Sequence, residues 1–561
     1  MLGLAIGAKL TALLLLPLLL FCFMVNGGGS SRASWWQPLR LWAGLLPLAA
    51  LVVWVLYGFE WRTLPGWPMP LPAATYIESL QQLLTHVEGG HVAYLLGERS
   101  TAGWWYYFIV AFLVKTPATT LLLLLAALGW WAWRRSWQVS WLGLPPLALL
   151  ALASYSRFDI GIRHILPGLP FVWLLVAATA GSWHKWRWGK IVVGVLLLGY
   201  ALGTLRQHPH HLAYFNEFVG GAAHGIDYLG DSNLDWGQDL YALVDYMADS
   251  DTPVQYSYFG SADPVAFGLT QTPLLTEAGL PQAFTPANTA PGRYALSASH
   301  LQGLWLAEPD VFDWFRRQEP TGSLGYSILL FAVPQAQTGA WVAYCLDPGP
   351  LLSATAVTDL LGVTPARSLY FDCQQSWVFP NNGQPGWYIL PQQDTWPLAA
   401  VLPAQLRLVY RHAPTAVSPS YDVYYWDGDL SGWRDTLRQQ ATTATGDPLT
   451  LPQPMSDSLQ LVGYTTHNQA WWTVWQVQSA TAVPLTIAAH LYTADPQPLV
   501  ADGLGFLGDQ WQPGDLFVQI HSFAANEAGT ALPNAQFLET GLYNYLDGER
   551  ISPFLRLYPP D

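Results

Sequence analysis

Charge is scarce in this chain: Asp, Glu, Lys and Arg make up 11% of 561 residues, while hydrophobic residues make up 51%. An ordinary water-soluble domain carries about 25% charged residues, so part of the chain is expected to sit in lipid. Lysine is scarcer still, with only Lys9, Lys115, Lys185 and Lys190, and none beyond residue 190. Residues 1–205 carry 13 Lys/Arg against 5 Asp/Glu, a net of +8, and residues 206–561 carry 11 against 33, a net of −22. A region this acidic repels nucleic acid and anionic headgroups, which excludes a nucleic-acid partner. Cysteine is nearly absent, with three in all. Cys22 lies in an apolar run and reads as a small buried hydrophobe. Cys345 and Cys373 fall in the acidic part, where an oxidising compartment would let them pair.

Hydrophobic runs, by contrast, are plentiful. Stretches near residues 10–25, 40–58, 117–133, 141–156, 165–181 and 190–205 each approach the length that crosses about 30 Å of hydrocarbon. The connections 26–40, 134–140 and 182–190 hold seven Lys/Arg and no carboxylate. Positive-inside bias puts these in the cytoplasm and everything after about residue 206 outside. Reading residues 1–25 as a signal peptide instead inverts that topology and exports all seven charges. Met1–Ala8 resembles the end of an earlier helix, so the chain is expected to be truncated. The expected fold is therefore a multi-pass α-helical membrane domain of about six spans in the plasma membrane (1–205), with extracytoplasmic units after it. Between the second and third runs, residues 71–108 read as an interfacial amphipathic stretch, with Trp104, Trp105, Tyr106 and Tyr107 as belt aromatics or sugar-stacking rings.

Beyond residue 206, helix-like DLYALVDYM (239–247) alternates with strand-like VQYSYFG (254–260), GRYALSA (292–298) and YSILLFAV (326–333). That pattern predicts an α/β domain over 206–335. Residues 336–450 predict a second α/β or mostly β unit. The short strands recurring from 451 to 561 predict a β-sandwich.

Four stretches, GLAIGAKLTALLLLP (3–17), YLLGERSTAGWWYYFIVAFLVKTP (94–117), GIRHILPGLPF (161–171) and YFNEFVGGAAHGIDYLGDSNLDWGQDL (214–240), resemble bacterial glycosyltransferases related to protein O-mannosyltransferases and lipid A aminoarabinose transferases. The resemblance implies a GT-C fold that takes sugar from a polyprenyl-phosphate donor at the outer membrane face. It also implies inversion at the anomeric carbon, driven by an acidic residue of the first extracytoplasmic loop. That residue would lie upstream of Met1.

Read on their own chemistry, Lys9, Lys115, Arg157, Arg163 and His164 all fall near the expected outer boundary, where ionisable groups invite a functional reading. Arg forks and Lys point charges suit a lipid phosphate, the leaving group of a glycosyl transfer. Snorkelling to headgroups is the alternative for each. In DSNLDWGQD, Asp231, Asn233, Asp235 and Asp239 alternate. Oxygens at Asp231, Asn233 and Asp235 would suit calcium, although Trp236 stands where a calcium loop needs glycine. Glu217 with Asp231 or Asp235 would equally serve as acceptor-binding or acid/base groups, or the motif is a local turn capping the next helix. No metal site other than that calcium loop is expected. The partners implied are a polyprenyl-phosphate-linked sugar, membrane lipids and a protein or glycan acceptor. The competing function is a membrane-anchored, non-catalytic glycan-binding protein.

Overall fold

The computed structural model describes residues 2–8, 10–14, 16–17, 36–89, 91–134, 142–155, 158–183, 187–282, 284–346, 349, 351–468, 470–523 and 535–559. Lys9, Cys22 and Arg157, together with most of the first apolar run, lie outside them.

The helical region does not form the expected set of spans. Among the described residues, only Trp188–Gln207 is by itself long and apolar enough to cross a membrane. Helices Tyr107–Lys115 and Ala118–Trp133 pass only when taken together, and they bend by 111° at the break between them. Trp42–Leu56, Leu144–Tyr155 and Leu166–Ala178 are apolar but shorter. The multi-pass membrane domain is therefore replaced by a set of short, broken helices, and the alternation of sides inferred from their connections loses its basis. Proline is the physical reason. Pro117 separates the bent pair, Pro145 and Pro146 open the helix Leu144–Tyr155, and Pro170 stands near the start of Leu169–Ser182. Proline lacks the N–H that continues a helix and disfavours the helical conformation in the residue before it. A hydropathy window reads through such breaks, but a helix of 12 residues rises only about 18 Å at 1.5 Å per residue, short of the hydrocarbon thickness.

Beyond residue 206 the chain builds four larger sheets. The first orders Val254–Ser257, Gly292–Ser297, Ile328–Val333 and Gly322–Leu324, with a parallel first pair and antiparallel pairs after it. Helix Leu240–Ala248 packs Leu240, Leu243 and Met247 against it, the i, i+3, i+7 spacing of one helical face. The second sheet orders Arg367–Phe371, Trp341–Cys345, Gly386–Pro391, Tyr421–Trp426 and Leu406–His412. Its strand Trp341–Cys345 is buried on both faces and parallel to both neighbours, as a continuous apolar run with sheet on either side should be.

The third and fourth sheets are antiparallel and close over one core that includes Trp471, Trp472, Trp475, Ile487 and Leu542. This is the C-terminal β-sandwich. It also draws in strands from before residue 451: Ser376–Phe379 pairs with Leu516–Ser522, and Gln440–Thr443 pairs with Leu555–Leu557. The same core reaches Trp341, Trp377 and Tyr388, so the second sheet and the sandwich share their hydrophobic interior. A division at residue 450 cuts through this shared core, because strand pairing ignores sequence distance.

Cys345 and Cys373 form a disulfide at the ends of neighbouring strand segments, with a Cα–Cα distance of 5.2 Å. Closing a loop across a separation of 28 residues removes unfolded-chain entropy worth about 3.5 kcal/mol. Thiol titration of the unfolded, unreduced chain should therefore count one free cysteine, and reduction should lower the unfolding midpoint of the β region. Three free thiols would contradict the pairing.

Candidate functional site

The segment 231–239 is the junction at which the sequence-distant motifs meet, and Asn233 is its centre. Its side chain is fully buried. The amide nitrogen donates to the Tyr107 hydroxyl at 2.8 Å and to the Gly230 carbonyl at 3.1 Å. Its oxygen accepts from the Ile162 N–H at 2.9 Å. The Asn233 carbonyl accepts a hydrogen bond from the Lys115 ammonium at 2.5 Å. One asparagine thus joins helix Tyr107–Lys115 to the turn Ile162–His164. A primary amide suits this task, because it offers two donors and an acceptor in one plane.

Of the cations read as phosphate-binding, Lys115 also donates to the Leu212 carbonyl at 2.8 Å and sits 4.4 Å over the Phe215 ring. Two of its three protons are held by backbone, and the ammonium stands at the polar end of a small cavity of about 150 Å³ lined mainly by apolar groups, Pro117, Ile162, Leu166, Val172 and Trp173 among them. Arg163 lies 4.9 Å over the Trp236 ring, a cation–π contact. His164 stands edge-on to Phe108 and Phe158. Glu217 is apart from this cluster, exposed at the start of the turn Glu217–Val219 and against Gly203. The belt reading of 104–107 does not hold for Tyr107, which is buried and bound to Asn233, whereas Trp105 is exposed.

The acidic motif distributes its oxygens rather than converging them. Asp231 accepts from the Trp305 indole N–H at 3.1 Å. Asp235 accepts from the Gly237 and Ser299 backbone N–H groups, both at 3.1 Å. Asp239 accepts from the Ser327 hydroxyl at 2.6 Å and stands 3.6 Å from His210 at the start of helix Leu240–Ala248. Asp231, Asn233 and Asp235 therefore face three separate donors. Among the described residues no group of three or more His, Cys, Asp or Glu side chains is placed to hold a metal ion.

Burial pushes the Asp235 carboxyl up to about 7, against the pull of its N–H donors. Because the folded value lies above the unfolded value of 3.8, the folded state holds the proton more tightly. That stability is full below the unfolded value and is lost as pH rises through about 7. Asp235→Asn, which cannot ionise, should flatten the decline between pH 4 and 7. It also forfeits one N–H bond, a cost that does not vary with pH. Thermal midpoints measured across that range check the sign, and an unchanged slope would place the titration elsewhere.

Sequence reasoning passed over Asp159, counting it only as one charge in a short connection. Its side chain is buried, with 1% exposure of the residue. One carboxyl oxygen accepts from the Trp104 N–H at 2.6 Å, and the other has no hydrogen-bond partner among the described residues. Burial pushes this carboxyl up to about 6, the Trp104 N–H opposing. Phe158, its neighbour in sequence, meets His91 edge-on, and His91 in turn meets Trp305, which Asp231 holds. The clue available in sequence was an Asp between two Arg in a short polar stretch bounded by apolar runs; depth of burial was not legible there.

No family model matches this chain, and neither a curated protein nor a solved structure does.

Proposed function

We propose that this protein is a glycosyltransferase working at a lipid boundary, taking sugar from a polyprenyl-phosphate donor and passing it to a protein, glycan or lipid acceptor. The observation that carries this reading is the meeting around Asn233 of Lys115, the Arg163–His164 turn and the buried Asp159 region. Lys115 beside an apolar slot suits a phosphate at the head of an isoprenoid chain, and its ammonium would stabilise the charge that develops on that phosphate as it leaves. A carboxyl raised to about 6 is suited to accept a proton near neutral pH. In the transfer, the acceptor hydroxyl oxygen bonds to the anomeric carbon and the bond from that carbon to the phosphate oxygen breaks. The polyprenyl phosphate leaves with the electron pair, and the hydroxyl proton passes to Asp159.

Lipid contact is supported by the exposed apolar surface of the helices. In Trp188–Gln207 only 6% of the apolar window is buried, and Ile191, Val195, Leu198, Leu202 and Leu205 are all exposed. The core helix of a soluble domain would hide such a stripe, whereas an uncovered one calls for lipid or a partner. The test supplies the chain, in lipid nanodiscs, with radiolabelled polyprenyl-phosphate hexose and a mixture of peptide, glycan and lipid acceptors. Label appearing on an acceptor is the expected result. Donor lipid that binds and keeps its sugar throughout would overturn the reading and leave the non-catalytic glycan binder in its place.

A further inference from the structure

Next to the Asn233 junction lies an open cleft of about 750 Å³, whose walls include Trp236, Trp305, Tyr258, Phe259, Asp263 and Glu277. Trp236 and Trp305 keep 51% and 48% of their surface exposed. Two aromatic rings left half in water in the lining of one concave site need an explanation, since burying them would be favourable.

Both rings are held in place. The Arg163 guanidinium covers one face of Trp236 and leaves the other for a ligand. Trp305 is fixed by its indole N–H to Asp231 at 3.1 Å and by His91, edge-on at 4.3 Å between ring centroids. Its backbone has φ +60°, and that of Asp231 has φ +52°. A bulky residue such as Trp305 in the left-handed region is strained, whereas Asp adopts that region readily, and strain of this kind is what ligand clamps accumulate. The fold thus spends backbone strain to hold a tryptophan that stays half exposed.

The polar groups of the cleft narrow the ligand. Among the described residues its lining holds two carboxylates, Asp263 and Glu277, and no Lys or Arg. His300 hydrogen-bonds Ser257 at 2.7 Å and is kept neutral, burial drawing its imidazolium down to about 4. Anionic ligands are therefore disfavoured. The lining hydroxyls can donate to or accept from neutral hydroxyls and the lining carboxylates accept from them, while flat aromatic faces suit the C–H face of a pyranose ring.

We infer that the cleft between Trp236 and Trp305 is a binding site for a neutral saccharide, with the two indoles as stacking platforms and Asp263 and Glu277 as acceptors for sugar hydroxyls. As the acceptor site of the transfer described above, it rests on that reading for its role. Binding itself needs no donor, so the two are tested separately.

The experiment titrates the full chain in detergent with neutral tetrasaccharides of mannose, glucose and N-acetylglucosamine, with an anionic uronate tetrasaccharide, and with a Ser/Thr-rich tetrapeptide. It is read by tryptophan fluorescence and calorimetry without donor lipid. At least one neutral saccharide should bind, and Trp236→Ala and Trp305→Ala should each weaken it tenfold or more. Trp305→Phe, which keeps a ring, should retain part of the affinity, and it covers the case in which the alanine variant fails to fold. Absence of binding by every neutral saccharide, preference for the uronate or the peptide, or affinity unchanged in both tryptophan variants would each overturn the inference. Loss of sugar transfer with saccharide binding retained defeats only the donor reading.

Discussion

Asp159→Asn should lower the rate of sugar transfer at saturating donor by roughly 10²- to 10⁴-fold, the usual worth of a general base, while the protein stays folded and the donor lipid stays bound. The substitution is nearly isosteric. The Asn oxygen still accepts from the Trp104 N–H that Asp159 binds at 2.6 Å, so positioning of helix Tyr107–Lys115 survives. What disappears is an acceptor for the proton. In the native chain the rate should rise with pH through about 6, where the Asp159 carboxyl ionises, and in the variant that rise should vanish.

Stability should respond in the opposite sense. A carboxyl whose folded value is raised from 3.8 to about 6 stabilises the fold below the unfolded value and loses that contribution as pH climbs through the folded one. The variant should thus be relatively more stable at pH 8 than the native chain. Steady-state transfer and thermal midpoints, both across pH 4 to 8, check the pair. A variant with native transfer rate and an unchanged pH profile would reduce Asp159 to a structural bond.

Asp515→Ala should destabilise the β region by about 3–5 kcal/mol, the cost of orphaning one member of a buried ion pair. Arg367 grips Asp515 with two parallel bonds of 2.6 Å, joining the edge strand of the second sheet to the sandwich. The Asn381 and Gln512 N–H groups donate to the same carboxylate, at 3.2 and 2.9 Å. Truncation therefore strands a guanidinium and two backbone donors at once. Replacing both partners, as Arg367→Met with Asp515→Leu, should recover much of the loss, because paired apolar groups leave no uncompensated charge. Changing the exposed Arg62–Glu78 pair should have no measurable effect. Denaturant unfolding followed by tryptophan fluorescence reads all three, and an Asp515→Ala midpoint equal to native would show that the pair contributes nothing net.

The β architecture was legible because it is written in short-range alternation. In Leu459–His467, Leu459 and Leu461 are buried while Gln460 and Val462 are half-buried, and the register slips between Leu461 and Gly463, where a bulge interrupts the pairing with Ala470–Val477. The helical region was misread for a reason just as local: apolar composition was counted through Pro117, Pro145, Pro146 and Pro170, which stand at or near the starts of helices of 17 residues or fewer. Among the site residues, Lys115, Arg163 and His164 were picked out by their charge near apolar runs. Yet two protons of Lys115 are taken by backbone, and Arg163 is laid on Trp236, roles that charge alone does not distinguish.

Composition, charge asymmetry and alternation, all properties of neighbouring residues, were enough to find the acidic β-rich half. The tertiary structure alone decided that Asp159 is buried with one oxygen unpartnered among the described residues, that Asn233 ties Tyr107 to Ile162, and that Trp236 and Trp305 line one cleft. Those facts depend on contacts between segments tens to over a hundred residues apart. Such contacts are settled by which apolar surfaces bury one another and which polar groups can then be satisfied, and no local pattern encodes that outcome.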